Sequence, residues 1–351
     1  EHIESELNIS LVKLEKYADQ TRPSYIGKDN TSASNPITDA GATLGRVLFY
    51  DPSLSRTDSV SCSACHQQAN AFSDQNIASI GINGTTSRHS MRLINSRFSD
   101  ERRFFWDERA TSLEAQTTQP IQDHIEMGFS GADGDPSLAD LIDKLTAIDR
   151  YPALFTRAFG DSAITEARLQ SALAQFIRSI ESFDAPYDVG RANHRDNQDF
   201  DNFTVAENRG KRLFMAPPND GGAGCAGCHR PPEFDIDPDT RNNGVINAID
   251  GGTDLTNTRS PSLRDLVNPA GVLNGGLMHN GAFESLEAVI EHYNRIPEDN
   301  NRLDQRLRRP GGGLQRLNFS ETQKADLVEF LKTLTGSAVY TDPRWSNPFA
   351  L

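Results

Sequence analysis

All four cysteines of this 351-residue chain lie in two copies of one short pattern, Cys-x-x-Cys-His. The reactive residues are Cys62, Cys65 and His66 in the first copy and Cys225, Cys228 and His229 in the second. A redox dithiol does not need the histidine, and a zinc site of this kind needs further ligands beyond one cysteine pair. Two copies that use every cysteine are typical of covalent haem c attachment, with each histidine as an iron ligand. The sequence therefore predicts two covalently bound haem c groups.

The net charge and the hydrophobicity of the chain restrict its partners and its location. Lys and Arg number 35 against 49 Asp and Glu, a net charge of −14, which disfavours nucleic acid and anionic membranes as partners. No apolar run reaches the ~20 residues of a membrane-spanning helix. Haem c is attached outside the cytoplasmic membrane, so we expect a periplasmic protein. The start at Glu1 rather than Met predicts that a signal peptide has been removed.

Two segments of similar character precede the two motifs, residues 44–51 before the first and 208–214 before the second. We therefore interpret the chain as an internal duplication. It comprises an N-terminal extension (1–40), an N-terminal haem domain (41–200) and a C-terminal haem domain (201–351). No continuous alternation of apolar and polar residues predicts a strand. The predicted fold class is mostly α, with two cytochrome c-like haem domains in tandem and long loops.

Three helices are predicted with particular clarity, at residues 138–148, 169–183 and 321–335. Apolar residues recur at helical spacing through the second of them. Ser320 and Gln323 form a capping-box pattern at the start of the third.

Four blocks of sequence together resemble the bacterial di-haem cytochrome c peroxidase family, which includes the MauG-type enzymes. The resemblance extends from about Asn35 to Thr335. The blocks are residues 44–51 with the first motif, 105–110 running to 126–128, the second motif, and 259–264 continuing to 278–293.

The resemblance implies a division of labour between the two haems. In that family the N-terminal haem keeps an open face and reacts with hydrogen peroxide, while the C-terminal haem is six-coordinate and relays electrons. Carried over by position, His66 is the proximal ligand of the peroxidatic haem and His229 that of the electron-transfer haem. Trp106 matches the tryptophan that lies between the two haems in relatives.

Relatives have a Gln and a Glu ten residues apart above the open face, and Gln116 and Glu126 match them here, with Pro120 between. Cleaving a peroxide O–O bond needs a base that takes a proton from one oxygen and returns it to the other, which a carboxylate can do. His124, two residues from Glu126, is a rival base.

The second axial ligand of the C-terminal haem separates two branches of the family. Many peroxidases have a methionine at a position where this chain has Tyr293, and MauG-type enzymes have a tyrosine there. An anionic oxygen ligand stabilises ferric and higher-valent iron, whereas methionine raises the reduction potential. Met278, His279 and His292 are the alternative ligands.

Relatives also hold a calcium ion between the haems through one Asn side chain and two backbone carbonyls. The carbonyl positions map near Asn274 and Gly276. The Asn position falls on His89, or on Asn95 if the gap is placed differently. Histidine is a poor calcium ligand because the ion prefers hard oxygen donors. His89 is alternatively a distal haem ligand of a resting state.

Three functions follow from these features. The first is a periplasmic di-haem peroxidase that reduces hydrogen peroxide with electrons from a small redox protein, a cytochrome c or a copper protein, relayed through the C-terminal haem. The second is a MauG-type enzyme that uses a peroxide-generated high-valent di-haem state to oxidise residues of a partner protein. The third is a simple di-haem electron carrier, which has no use for Gln116 and Glu126. A homodimer is compatible with each of them.

Overall fold

Helices dominate the computed structural model, which describes residues 2–256, 259 and 261–349. The helices are α1 His2–Glu6, α2 Asp39–Tyr50, α3 Cys62–Cys65, α4 Leu113–Thr117, α5 Leu138–Thr146, α6 Arg150–Phe159, α7 Glu166–Ser179, α8 Pro186–Arg191, α9 Val205–Met215, α10 Leu286–Asn294 and α11 Glu321–Lys332. Within the described ranges the one sheet pairs two antiparallel strands, β1 His229–Arg230 and β2 Asp235–Ile236. The predicted mostly α class is confirmed. Residue 260, in the fourth block of the resemblance, lies outside the described residues.

Helix α2, which leads to the first motif, crosses α7 at a glycine. A Cβ on Gly45 would collide with the backbone carbonyl of Ala172 and the side chain of Phe176. One turn further along, the rings of Phe49 and Phe176 meet with centroids 5.2 Å apart. The absence of a side chain at residue 45 therefore lets the two backbones come close enough for the aromatic rings to pack.

Helix α9, which leads to the second motif, repeats this crossing against α11. A Cβ on Gly210 would collide with the carbonyl of Asp326 and the side chain of Phe330. The rings of Phe214 and Phe330 then lie with centroids 5.2 Å apart, as in the first pair. The same four-residue spacing of glycine and phenylalanine in both pairs supports the internal duplication.

Two hydrophobic cores surround these helix pairs, and the ends of the chain join the first one. Leu7 and Tyr17 are fully buried in the first core, and Trp345 from the C-terminal segment packs there as well. The Tyr17 hydroxyl donates to the carbonyl of Arg344 at 2.6 Å. Residues 1–40 thus contribute core residues rather than forming a loose extension. The predicted boundaries near residues 40 and 200 stay predictions.

Each clearly predicted helix is present, with shifted ends. The observed helices α5, α7 and α11 end two to four residues before the predicted ends. Ile180, directly after α7, has extended backbone angles (φ −77°, ψ 104°), which stops that helix. The predicted capping box of Ser320 and Gln323 is present at the start of α11. Helix ends are the part of such predictions that local sequence determines least.

The Gly45 crossing yields a stability prediction. Gly45→Ala should lower the free energy of unfolding by about 1–3 kcal/mol, the usual effect of overpacking a close contact. Guanidinium unfolding of the haem-loaded protein measures it. Gly27→Ala is the matched control, because a Cβ there meets nothing within 4 Å, and its effect should stay within about 0.5 kcal/mol. Equal stability of the two variants would contradict the close crossing.

Candidate haem sites and the cavities beside them

The second motif opens onto a large apolar cavity of about 540 Å³. A short 3-10 turn, Cys225–Gly227, brings both cysteines to its wall, and His229 follows at the start of β1. Neither cysteine is in a disulfide. Two free thiols and a histidine beside an apolar space of this size fit a covalently attached haem, whose porphyrin would fill it.

The His229 side chain is half-buried, and this burial controls its protonation. Burial, with a smaller contribution from Arg306, lowers the pKa of His229 to about 4. The ring is therefore neutral at physiological pH, the form in which histidine binds a metal. Its Nδ1 is buried without a hydrogen-bond partner among the described residues. A neutral imidazole on the cavity wall fits the predicted iron-ligand role.

Tyr293 and Met278 line the same cavity as His229. The side-chain amide of Asn243 contacts both, at 3.3 Å from the Tyr293 hydroxyl and 3.4 Å from the Met278 sulfur. Tyr293 lies on α10, the helix formed by the last part of the fourth block. The geometry thus leaves both side chains available to a group bound at His229.

The two rival histidines face elsewhere. His292, next to Tyr293 on α10, donates from Nε2 to the carbonyl of Asn243 at 2.8 Å and does not line the cavity. His279 is 1% exposed, and its Nε2 lies 3.6 Å from a carboxylate oxygen of Asp254. Successive helical residues point ~100° apart, which explains why His292 and Tyr293 have different environments.

The first motif forms α3 and ends at His66, which lines a smaller cavity of about 190 Å³. The His66 Nδ1 donates to the carbonyl of Phe72 at 3.1 Å, so Nε2 is the nitrogen left for a metal. Burial lowers the pKa of His66 and keeps its ring neutral. Burial also raises the pKa of Cys62 to about 12, and the nearby Cys65 thiol adds to the shift. These residues fit the haem that is predicted for the first motif.

Glu126 and Gln116 line this cavity together with His66. Gln116 lies on α4. Glu126 lies in an irregular turn, where its backbone N–H donates to the Asp123 carboxylate at 3.0 Å. Burial raises the pKa of Glu126 to about 7; Asp123 adds to the shift and Arg109 opposes it. The cavity therefore contains a carboxyl group that is half protonated near neutral pH.

His124, the rival base, has a different position. Its Nδ1 lies 2.8 Å from Asp135, its side chain is 41% exposed, and it is absent from the cavity wall. Of the two titratable residues predicted for this loop, Glu126 is the one that shares the cavity with His66.

Trp106 lines both cavities. Its indole N–H donates to the carbonyl of His89 at 2.7 Å, and the ring is 8% exposed. The edge of the indole meets His279 with ring centroids 6.3 Å apart. The tryptophan that the resemblance expects between the haems is thus in the wall shared by the two cavities.

The predicted calcium ligands do not form an oxygen-rich site. The Asn95 side chain both donates to and accepts from the backbone of Ser182, at 3.0 and 2.9 Å, and its role as a calcium ligand stays a prediction. The His89 ring lies at the other candidate position, with Nε2 beside Gly275. The Asn274 amide donates to the carbonyl of Asp265. The Asn274 Oδ1 is buried without a hydrogen-bond partner among the described residues. The histidine is therefore the member of this set that suits calcium poorly, because the ion prefers hard oxygen donors.

Two residues that line the cavities carry no sequence motif that marks them. Asn243 touches both Tyr293 and Met278, yet it belongs to an Asn- and Gly-rich loop that looks like an ordinary turn. Arg92 lines both cavities, although arginine is usually a surface residue. Only the folded arrangement reveals either of them.

Comparisons with known proteins agree with this arrangement. A profile of the family described as di-haem cytochrome c peroxidase matches residues 39–196. The chain is 31% identical to the methylamine utilization protein MauG of Methylophilus methylotrophus, over 87% of this chain and 85% of that protein. It is 34% identical to MauG of Methylorubrum extorquens, over 86% and 80% respectively. A solved MauG-like protein associated with microbial copper homeostasis matches with a TM-score of 0.73 and 29% identity, over 94% of this chain and 99% of that one.

Two motifs of thiols and neutral histidines, each beside its own cavity, define a di-haem c-type protein. The chain belongs to the di-haem cytochrome c peroxidase family, which includes the MauG proteins. It is an oxidoreductase of this type with two haem c groups. No helix among the residues described by the structure is long and apolar enough to cross a membrane.

The haem assignment predicts a definite mass. Denaturing mass spectrometry of the wild-type protein should show two covalently bound haems per chain. The double replacement Cys225→Ala with Cys228→Ala should leave one, because the first motif lies beside a separate cavity. A wild-type protein with one haem, or none, would rule the assignment out.

Proposed function

We propose that this chain is an exported enzyme that consumes hydrogen peroxide in the cavity lined by His66, Gln116 and Glu126. The observation that supports it most directly is the half-buried Glu126 carboxyl, with a pKa of about 7, on the same cavity wall as His66. A simple electron carrier has no need of a proton-transferring group there. Export is part of the proposal because haem c is attached outside the cytoplasmic membrane.

The bound haem and the polypeptide contribute different parts of the chemistry. Haem attached at the first motif, with His66 as its ligand, supplies the redox-active iron for reducing peroxide. Two electrons and two protons convert one peroxide molecule into two waters. The Glu126 carboxylate takes the proton from one peroxide oxygen and returns it to the leaving oxygen. The Gln116 amide is suited to orient peroxide by hydrogen bonding.

A pKa near 7 suits both halves of this proton transfer. General acid–base catalysis is most effective when the pKa of the group lies close to the working pH. Burial provides this match for Glu126, and the Arg109 charge limits the rise. The Gln119 side chain accepts a hydrogen bond from Arg109 at 3.3 Å, which helps hold that charge near the cavity.

Glu126→Gln tests the proposal. The variant should keep two haems and lose peroxide turnover by about two to four orders of magnitude, the usual contribution of such a group. In the wild type, turnover should rise with pH through about 7, because the deprotonated carboxylate is the form that accepts the proton. That step should vanish in the variant. His124→Gln is the matched control and should retain turnover; the reverse result would assign the base to His124.

Electrons reach the peroxide cavity, in our proposal, from a small redox protein by way of the haem at His229. Trp106 supports such a route because it lines both cavities. The net charge of −14 favours a donor with a basic or neutral docking surface. Calcium is not part of the proposal, because histidine, which occupies one of the two candidate side-chain positions, is a poor ligand for it.

A second candidate function is oxidation of residues in a partner protein, as the resemblance implies for MauG-type enzymes. Two observations favour it. Tyr293 lines the cavity of His229, and two relatives that share 31% and 34% identity with the chain are MauG proteins. Met278 lines that cavity too, so the choice between the functions depends on which of the two side chains binds iron.

Ligand variants separate the two functions. If Tyr293 is the ligand, Tyr293→Met should raise the reduction potential of the haem at His229, since methionine favours ferrous iron more than an anionic oxygen does. Met278→Leu and His292→Gln should leave its spectrum nearly intact. Stopped-flow mixing of the fully oxidised wild type with peroxide should then give a reaction without prior reduction. A loss of the low-spin spectrum in Met278→Leu, but not in Tyr293→Phe, would point to the donor-dependent peroxidase.

A further inference from the structure

Arg92 is a buried cation in the wall that separates the two haem cavities. It lines both of them, as Trp106 does, and only 9% of its surface is exposed. Burial lowers the pKa of Arg92 to about 10, and the field of Asp265 opposes that shift. The guanidinium therefore stays charged at neutral pH, although it lies in a largely apolar environment.

The described part of the polypeptide provides no anion in contact with this charge. Nη2 donates to the carbonyl of Ser262 at 3.2 Å, while Nε is buried without a partner. Within residues 2–256, 259 and 261–349 no ion pair to Arg92 occurs, and the Asp265 carboxylate acts on it only through its field. Asp265, whose field reaches Arg92, uses its Oδ1 to accept from the Gly336 N–H at 2.9 Å. Burying a charge without an ion-pair partner is costly, so a bound molecule is expected to supply the anion.

The resemblance expects calcium in the same region, but the residue types there differ from those of the relatives. His89 stands at one of the two candidate positions of the asparagine ligand, with Nδ1 3.1 Å from the carbonyls of Asn76 and Ile77. Its Nε2 faces Gly275, in the segment expected to provide the two carbonyl ligands. An imidazole ring therefore replaces a hard oxygen donor, and a fixed positive charge lies three residues further along.

We propose that Arg92 is the resident cation between the two haems, that it binds their propionate carboxylates, and that it replaces calcium in this chain. Haem propionates are the anions that the two haem c groups would bring to these cavities. A guanidinium has several donors in a planar arrangement and can bind carboxylates through more than one hydrogen bond. The same positive charge would repel a divalent cation at this place.

The charge has a measurable consequence for both haems. A fixed cation in a low-dielectric wall stabilises the ferrous state relative to the ferric state, which carries one more positive charge. Because Arg92 lines both cavities, its removal should lower both reduction potentials together. A residue that affects only the shape of one cavity would not lower both reduction potentials.

Metal analysis of the wild-type holoprotein gives the first test. After dialysis against EGTA, and again after addition of calcium, its calcium content and both haem potentials are measured. We expect no calcium, or calcium without effect on either potential. One calcium ion per chain whose removal lowers both potentials would overturn the proposal.

Arg92 variants give the second test, by spectroelectrochemical titration. Arg92→Gln should shift the ferric–ferrous equilibrium of both haems about tenfold towards ferric, which is 59 mV for a one-electron couple. Arg92→Lys keeps the charge and should shift it less. Arg102→Gln is the control, because Arg102 is exposed, and both potentials should be unchanged. Unchanged potentials in Arg92→Gln, or equal shifts in the control, would contradict the assignment.

The proposal rests on the two bound haems and not on the reaction with peroxide. Its readouts are metal content and potentials, whereas the role of Glu126 is tested by turnover. The failure of either one can therefore be recognised separately. If Arg92→Gln does not accumulate with two haems, the calcium measurement on the wild type and the Arg92→Lys titration still decide the question.

Discussion

The close crossing of two helices at a glycine, made once beside each haem motif, is the contact on which the rest of the structure depends. Gly45 lets α2 meet α7, and Gly210 lets α9 meet α11. Each crossing anchors the helix that leads to a Cys-x-x-Cys-His motif, and the aromatic rings one turn later close the core next to it. The thiols and histidines can reach their cavities because these rigid pairs hold the connecting segments in place. Two copies of one packing solution thus produce two haem sites in one chain.

The two cavities share a wall that contains a buried aromatic residue and a buried charged residue. Trp106 gives the wall a large aromatic ring, and Arg92 gives it a positive charge, while both line the two cavities. Glu126 faces only the cavity of His66, where burial brings its pKa to about 7. Groups of this kind are costly to bury, and they cluster where binding or catalysis uses them. The two cavities are therefore chemically different although the helix pairs beside them are alike.

Membership of the di-haem cytochrome c peroxidase family explains the fold that the chain shares with its relatives. The residues at which the chain differs from its relatives explain its own chemistry. Tyr293 stands beside Met278, so both kinds of axial ligand known from the resemblance meet at one cavity. His89 occupies one of the two positions at which the resemblance expects an oxygen donor, and the buried Arg92 follows it. These features concern charge and ligand chemistry rather than fold. In our proposal, Arg92 acts on the reduction potentials of both haems.

The sequence alone determined the number of haems, the mostly α class and the family, because thiol attachment and histidine ligation need residues that are adjacent in the chain. The family resemblance also placed Gln116, Glu126 and Trp106 as candidates, and it favoured Glu126 over His124 and Tyr293 over His292. The residues of each pair lie within two positions of each other, so the direction of each side chain could not be read from the sequence. Tertiary packing decided which of them face the cavities. It also revealed Arg92 and Asn243, because burial beside two cavities is a property of the folded chain that no local pattern records.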